Sequence, residues 1–488
     1  VRLIAKSKGM RDAAWQERAV QRRAIAFVSY LLCCRMAALR KIRFEQAHCE
    51  PVFRGLLQLL EWLRPNALQM GSATAVKRLC ILAALALPIR KTSYGALLLN
   101  DAMEWLSTWQ LEIGTSADGV WQEGFAQHGS VLTTLSALSY DLRQAEVSSR
   151  AINGAMMKLA RFADALLAER GACAQIDELP GAAYPQLQKT ARAMQKSGPA
   201  INLVKQQQGS LRDTVLFADS GYFVSRSTRQ GDKSCSHLVV HARPAAQGGP
   251  SLSFSLGGKP VLIGGGTIDA RASREIRRIS RLDPGSHNAV RIDGRTFAGL
   301  RNRDPAAVRI ETAWEQPSWA AVRTLDNTFE AAEVARTIIH LKPAHGLIVV
   351  DELQAQGGEV RFEQFWHFSP SLQPSSCQGS TALFVAADGG FLNAAFDAGA
   401  TAVLSQGTSG GIGWTSPRTR VVEANPYIVR ERRATSTLMA SFFQCNPTMR
   451  AFEVGVEGER GVWSVTVKSG AGAAIQFAFG DGSLRLVK

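Results

Sequence analysis

From residue 12 to about residue 205 apolar residues recur every third or fourth position, as in Phe53-x-x-Leu56-Leu57-x-Leu59-Leu60-x-x-Leu63. That is the period of helices that bury one face. Breaks at Arg64-Pro65-Asn66, Leu87-Pro88, Ser116–Gly119 and Leu179-Pro180-Gly181 divide the stretch into about seven helices with short connections. From Leu216 onward the texture changes. Short runs rich in β-branched and aromatic residues alternate with Gly, Asp and Ser turns: Gly221–Arg226, Leu238–Ala242, Ser251–Leu256, Val261–Ile263, Ala289–Ile292, Gly346–Val350, Arg361–Phe368 and Trp463–Val467. Strands at this spacing predict a large antiparallel sandwich. The polar stretch Lys205–Ser210 separates the textures, so the expected organisation is a helical domain over 1–205 and an all-β domain over 211–488.

A chain of 488 residues is too long for one ordinary core of ~100–200 residues, which agrees with two domains. The longest apolar runs, Leu79–Ile89 and Ala24–Cys34, fall well short of the ~20 residues of a membrane helix. Arg22-Arg23 ahead of Ala24–Cys34 has the charge-then-apolar order of a secretory leader, but no small-x-small cleavage site follows and the segment reads as a helix. The net charge of +15 is uneven: residues 1–100 hold 17 Lys/Arg against 5 Asp/Glu, a net of +12, and the other 388 hold 39 against 36. Such a basic region suits nucleic acid, an anionic membrane surface or an acidic polysaccharide, or simply solvates helix faces. No aromatic-basic platform for nucleic acid accompanies it.

Eight cysteines form no C-x-x-C pair, and neither a disulfide framework nor a cysteine zinc site is expected. Gly257-Gly258-Lys259-Pro260 and Gly264–Thr267 lie between strands and read as turns, since no helix follows to hold a phosphate. Among eight histidines, His128 opens a helix, His241 ends a strand and His287 precedes Asn288 in a turn. A set split between two domains can frame a cleft.

The stretch from Arg274 to Gly294, with Ser286-His287-Asn288-Ala289 at its centre, resembles the heparinase II/III-like polysaccharide lyases. Phe217–Arg226, Ser251–Leu256 and Gly258–Thr267 are similar to successive strands of that family's sandwich. Asn66-Ala67-Leu68 and Asp118–His128 are similar to two segments of its helical toroid. The resemblance implies an incomplete (α/α) toroid followed by a large antiparallel β-sandwich. It also implies a lyase working in the periplasm of a bacterial envelope by β-elimination on a uronic-acid-containing polysaccharide such as a glycosaminoglycan.

That reaction needs the uronate carboxylate neutralised, a base for the C5 proton and an acid for the departing C4 oxygen. By the resemblance Asn66 handles the carboxylate, and His128 and His241 are the expected proton-transfer residues. Glu123, Gln127, Arg277, Arg278, His287 and Asn288 are expected to bind substrate, with Arg281 beside them. The sequence departs from the family's pattern. Gln127 stands in the place of the catalytic Tyr, and the His-x-His-x-Asp motif falls on Gln247, Gly249 and Ser251. His241 replaces one of these histidines if Pro244–Pro250 is an inserted loop. Tyr184 is a candidate for the missing phenol. His287 alone remains of a three-residue metal site, so neither metal nor cofactor is expected. The expected partner is an acidic polysaccharide rather than nucleic acid. The alternative is a glycan-binding or envelope-polysaccharide assembly protein that keeps the lyase fold without catalysis.

Overall fold

The computed structural model describes residues 72–121, 125–166, 214–227, 235–242, 250–264, 268, 272–296, 307–387, 389–400, 402–407, 411–416, 421–446, 451–470 and 472–487. The linker expected at Lys205–Ser210 lies outside them. The chain forms two compact units, Val1–Ala160 and Arg161–Lys488.

The described part of the first unit is helical. Helix α1 (Ala73–Ala86) starts at Ser72, whose hydroxyl accepts from the Ala75 N–H at 3.1 Å. Its apolar residues run round most of its circumference, so Val76, Leu79, Leu82 and Ala83 are all buried against α2 (Ser93–Glu104) and α3 (Phe125–Gln144). Pro88 halts α1 through a 3-10 turn at Leu87–Ile89, as the sequence predicts. Helix α2 begins at Thr92, which caps the Gly95 N–H at 3.0 Å. Gly95 is required there, since a Cβ would sit 2.1 Å from the Ile89 carbonyl oxygen. Past Glu104 the chain continues as a π-helical stretch, Trp105–Leu111. The turn expected at Ser116–Gly119 is closed by an antiparallel bridge between Thr115 and Trp121. Helix α4 (Arg150–Leu166) follows, and its residues from Arg161 count with the second unit.

In the second unit three layers stack. A five-stranded antiparallel sheet runs in chain order: β1 (Thr214–Phe217), β2 (Tyr222–Arg226), β3 (Ser236–His241), β4 (Ser251–Leu256) and β5 (Lys259–Leu262). The β4–β5 turn has positive φ at Gly257 and Gly258, as a tight hairpin requires. A four-stranded sheet has the order β15 (Ala402–Gln406), β18 (Pro426–Ala434), β11 (Val360–His367), β6 (Val290–Ile292). A bridge from Leu262 to Phe368 and the bond from Ile263 N–H to the His367 carbonyl at 3.0 Å join it to the first.

The middle layer is an eight-stranded sheet that includes β7 (Val308–Gln316), β8 (Trp319–Asp326), β9 (Ala332–Leu341), β10 (Gly346–Ala355), β14 (Phe391–Phe396) and β19 (Ser436–Asn446). A C-terminal sheet, β20 (Phe452–Glu459) to β23 (Ser483–Leu486), covers its other face. On β10, Leu347 and Val349 join the core shared with the first layer, while Ile348 and Val350 join the core shared with the C-terminal sheet. This is why Gly346–Val350 reads as an unbroken apolar run rather than an alternation. The β half also holds a helix that the sequence reading did not expect, α5 (Arg274–Leu282). Ser273 caps it through the Ile276 N–H at 3.1 Å, and its apolar residues Ile276, Ile279 and Leu282 recur every third position in a segment too short to stand out.

Charged side chains at the centre of β10 hold the layers together. Asp351 accepts both Nε and a terminal nitrogen of Arg336, its cross-strand partner on β9, at 2.6 and 2.7 Å. It also accepts the Gln364 amide of β11 at 2.7 Å. Gln364 Oε1 in turn accepts from Trp366 Nε1, Arg430 and Ser441. Glu352 points to the opposite face, where Arg323, the Gly461 N–H and Trp463 Nε1 donate to it. Burial would raise the Asp397 carboxyl, but Arg430 and Arg432 hold it below the usual range.

Two further buried groups are histidines. His340 lies between the Ser225 and Ser236 hydroxyls, both at 2.8 Å, and His237 Nε2 donates to the Ala165 carbonyl at 3.0 Å. Burial lowers each from 6.5 to about 3, aided by Lys342, His237 and His345 around His340 and by Arg226 beside His237.

Asp351→Ala leaves Arg336 buried without its partner, so a loss of about 3–5 kcal/mol is expected. Urea unfolding measures it. Because His237 and His340 take up protons more readily once unfolded, stability is complete above their ordinary value and falls as pH drops below it. The urea midpoint should therefore decline from about pH 7.5 to about pH 5, above the range in which most carboxylates titrate. A flat midpoint across that range would contradict the assignment of both histidines as buried and neutral.

Candidate functional site

The five-stranded sheet has two unlike faces. Phe223, Leu238, Val240, Leu252 and Phe254 point into the sandwich core. Cross-strand register puts Phe217, Tyr222, His241 and Ser251 in one row on the other face, and Arg226, His237 and Ser255 in a second row. This outer face is polar and yet buried: Tyr222 is 4% exposed, His241 5% and Ser251 1%. The last turn of α4 lies against it. Phe162 packs edge-on against Phe217 and Tyr222, with centroids 5.0 and 4.9 Å apart. Arg226 and His237 donate to the terminal carbonyls of Asp164 and Ala165, which the helix itself leaves without partners.

The Tyr222 and His241 rings stack, with centroids 4.0 Å apart and planes 15° from parallel. On the same face Ser251 Oγ next to the pair, and Ser255 Oγ and His237 Nδ1 four residues further along their strands, are buried with no hydrogen-bond partner among the described residues. Buried polar atoms are nearly always bonded, so three such atoms on one face are unspent capacity to hold a polar ligand. A phenol and an imidazole side by side are a pair able to give and take a proton.

His287 and Asn288, expected to bind substrate, lie in the turn that docks on the edge of this sheet, and both are buried. The Asn288 amide donates to the Leu252 and Ile263 carbonyls, both at 2.9 Å, and accepts the His367 N–H at 2.7 Å. Its own carbonyl accepts from Arg336. Asn288 is therefore fully occupied in tying the turn to β4 and to both sheets of its layer. Through Leu252, the neighbour of Ser251, it also fixes the strand end at which His241 lies.

Arg277 and Arg278 are exposed on α5, where Arg278 pairs with Glu275 at 2.9 Å. In the first unit His128 is fully buried: Nδ1 accepts the Trp121 N–H at 3.2 Å, and Nε2 donates to the Leu159 carbonyl at 2.8 Å. Burial lowers it from 6.5 to about 4, against the opposing pull of the Leu159 carbonyl. Gln127, its neighbour on α3, is exposed. Asn66, Glu123, Tyr184 and the segment 243–249 lie outside the described residues. Among the described residues no three His, Cys, Asp or Glu side chains gather as a metal site requires.

The sequence reading singled out His241 and passed over Tyr222. The signal was present in the hairpin. Once Gly221–Arg226 and Leu238–Ala242 pair antiparallel, their outer ends meet and place Tyr222 opposite His241. Only the register, and not either run by itself, makes them neighbours.

Two substitutions separate structure from site. Asn288→Ala removes three hydrogen bonds and strands buried partners, for an expected loss of about 2–4 kcal/mol. Ser251→Ala removes no bond among the described residues, so its unfolding free energy in urea should stay within about 0.5 kcal/mol of the parent's or rise. A large loss for Ser251→Ala would show the hydroxyl to be structural.

No protein-family model matches the sequence, and no curated protein matches it. Solved structures do resemble it. A crystal structure of heparinase III superposes with a TM-score of 0.74 at 10% identity, covering 98% of this chain and 78% of that one. A heparinase III gene product with methylated lysines gives 0.74 at 12%, over 97% and 76%. Heparan sulfate lyase HepC from Pedobacter heparinus gives 0.70 at 11%, over 89% and 68%. At such identities the likeness establishes the fold, an incomplete (α/α) toroid followed by an antiparallel β-sandwich.

Proposed function

We propose that the protein acts by β-elimination on an acidic, uronic-acid-containing polysaccharide, with Tyr222 and His241 as its proton-transfer pair. The observation that carries the reading is this stacked pair, beside the buried Ser251 hydroxyl, in a fold shared with heparan sulfate lyases. One of the pair takes the C5 proton, and the C5–H electrons become the C4–C5 double bond. The C4–O bond breaks, and the departing oxygen takes a proton from the other. Asn66 remains the candidate for the uronate carboxylate. His128 has both ring nitrogens engaged with backbone, which favours a positioning role over proton transfer. The resemblance alone supports the periplasm as the working compartment.

A second reading, a non-catalytic glycan-binding protein, is favoured by Gln127 in place of a tyrosine and by the engaged ring of His128. One assay separates the two: ultraviolet absorbance of the unsaturated product during incubation with heparan sulfate, hyaluronan, chondroitin or alginate, with binding measured in parallel. A rising signal on one polymer is expected. Tyr222→Phe and His241→Ala should each cut kcat by about 100-fold or more with KM little changed. Binding with a flat trace on all four would favour the second reading. Turnover that survives both substitutions would overturn the residue assignment.

A further inference from the structure

Helix α5 is nine residues long, with arginines at positions 274, 277 and 278 exposed on it, and Glu275 its sole acidic residue. Arg277 and Arg278 follow Arg274 by three and four residues, so the three guanidinium groups crowd one side of the helix. Glu275 is committed to Arg278. The nearest acidic residue beyond the helix, Asp283, is committed to Arg291 and to the Gly285 N–H. Among the described residues no side chain pairs with Arg274 or Arg277.

This arrangement works against the helix. Like charges three and four residues apart repel, and a cation at the first helical position opposes the dipole. A helix this short has little stability of its own. It is held from the other side, where Ile279 and Ser280 are buried and the segment 411–416 lies so close that a Cβ on Gly411 would meet Ile279 at 2.8 Å. Among the described residues, Arg274 and Arg277 thus form a basic face without a compensating carboxylate on a fixed support. From Leu282 the chain reaches Asn288, and through it the edge of β4, within six residues.

We propose that the exposed face of α5 is a polyanion-binding exosite, distinct from the Tyr222–His241 row, in which Arg274 and Arg277 grip sulfate or carboxylate groups of an extended acidic polysaccharide. Guanidinium groups present paired donors that match such oxyanions, and several at helical spacing engage successive charges of one chain. The inference rests on the acidic-polysaccharide reading above and adds to it where the chain is held outside the reacting centre.

The test measures affinity for a heparin dodecasaccharide over a series of salt concentrations, with single-stranded DNA of equal charge as the competitor. Wild type should bind heparin in preference to DNA. Arg274→Ala with Arg277→Ala should weaken binding about tenfold or more and flatten the salt dependence by about two counter-ions. The double Lys variant should retain that salt dependence. Thermal unfolding should show no loss of stability in the Ala variant, since repulsion is relieved. Wild-type binding that the Ala variant reproduces would overturn the exosite and leave the polysaccharide reading intact. No heparin binding by wild type would overturn that reading itself, and a preference for DNA would overturn the choice of partner.

Discussion

The second unit depends on two consecutive carboxylates, Asp351 and Glu352, at the centre of a strand buried on both faces. In a β-strand neighbours point to opposite sides, so two adjacent charges must be neutralised in two different cores. Arg336 and Gln364 meet Asp351 on one side; Arg323, Gly461 and Trp463 meet Glu352 on the other. An unpaired charge at either position carries a desolvation cost of several kcal/mol, so a middle layer slipped by one residue would place each carboxylate among the wrong partners. The pair therefore fixes the register of all three layers, a task that apolar side chains, attractive in any register, perform less sharply.

The same network reaches the candidate site. Arg336 holds Asp351 with its fork and the Asn288 carbonyl with its remaining nitrogen, and the Asn288 amide clamps β4, Ile263 just past β5, and β11. The strand end bearing Ser251, opposite His241 and Tyr222, is thereby referenced to the rigid centre of the sandwich. The proton transfer proposed for Tyr222 and His241 would need that rigidity, because small misplacements of reacting groups cost large factors in rate. The two faces of the five-stranded sheet divide the work: one is spent on the core, and the other carries phenol, imidazole and hydroxyl groups.

The structure gives a structural task to two of the residues that the resemblance singles out. Asn288 stands in the segment most similar to the lyase family and His128 in a second one of thinner resemblance, and both are bonded to backbone groups. Such segments can build a turn or anchor a helix without taking part in chemistry. Tyr222 lies in Phe217–Arg226, a segment similar to a strand of the family's sandwich, and only hairpin register sets it opposite His241.

Periodicity by itself determined the order of a helical half and a strand-rich half and placed eight of the strands, because 3.6-residue and two-residue repeats are local properties of the chain. It missed α5, whose nine residues are too few for a clear period, and it did not reveal that β10 is covered twice. Tertiary structure alone decided which side chains meet: Tyr222 with His241 through hairpin register, Asn288 with Leu252 and Ile263 across more than twenty residues, and Asp351 with Gln364 between layers. Such pairings depend on register and on the stacking of sheets, which the order of residues along one strand does not specify.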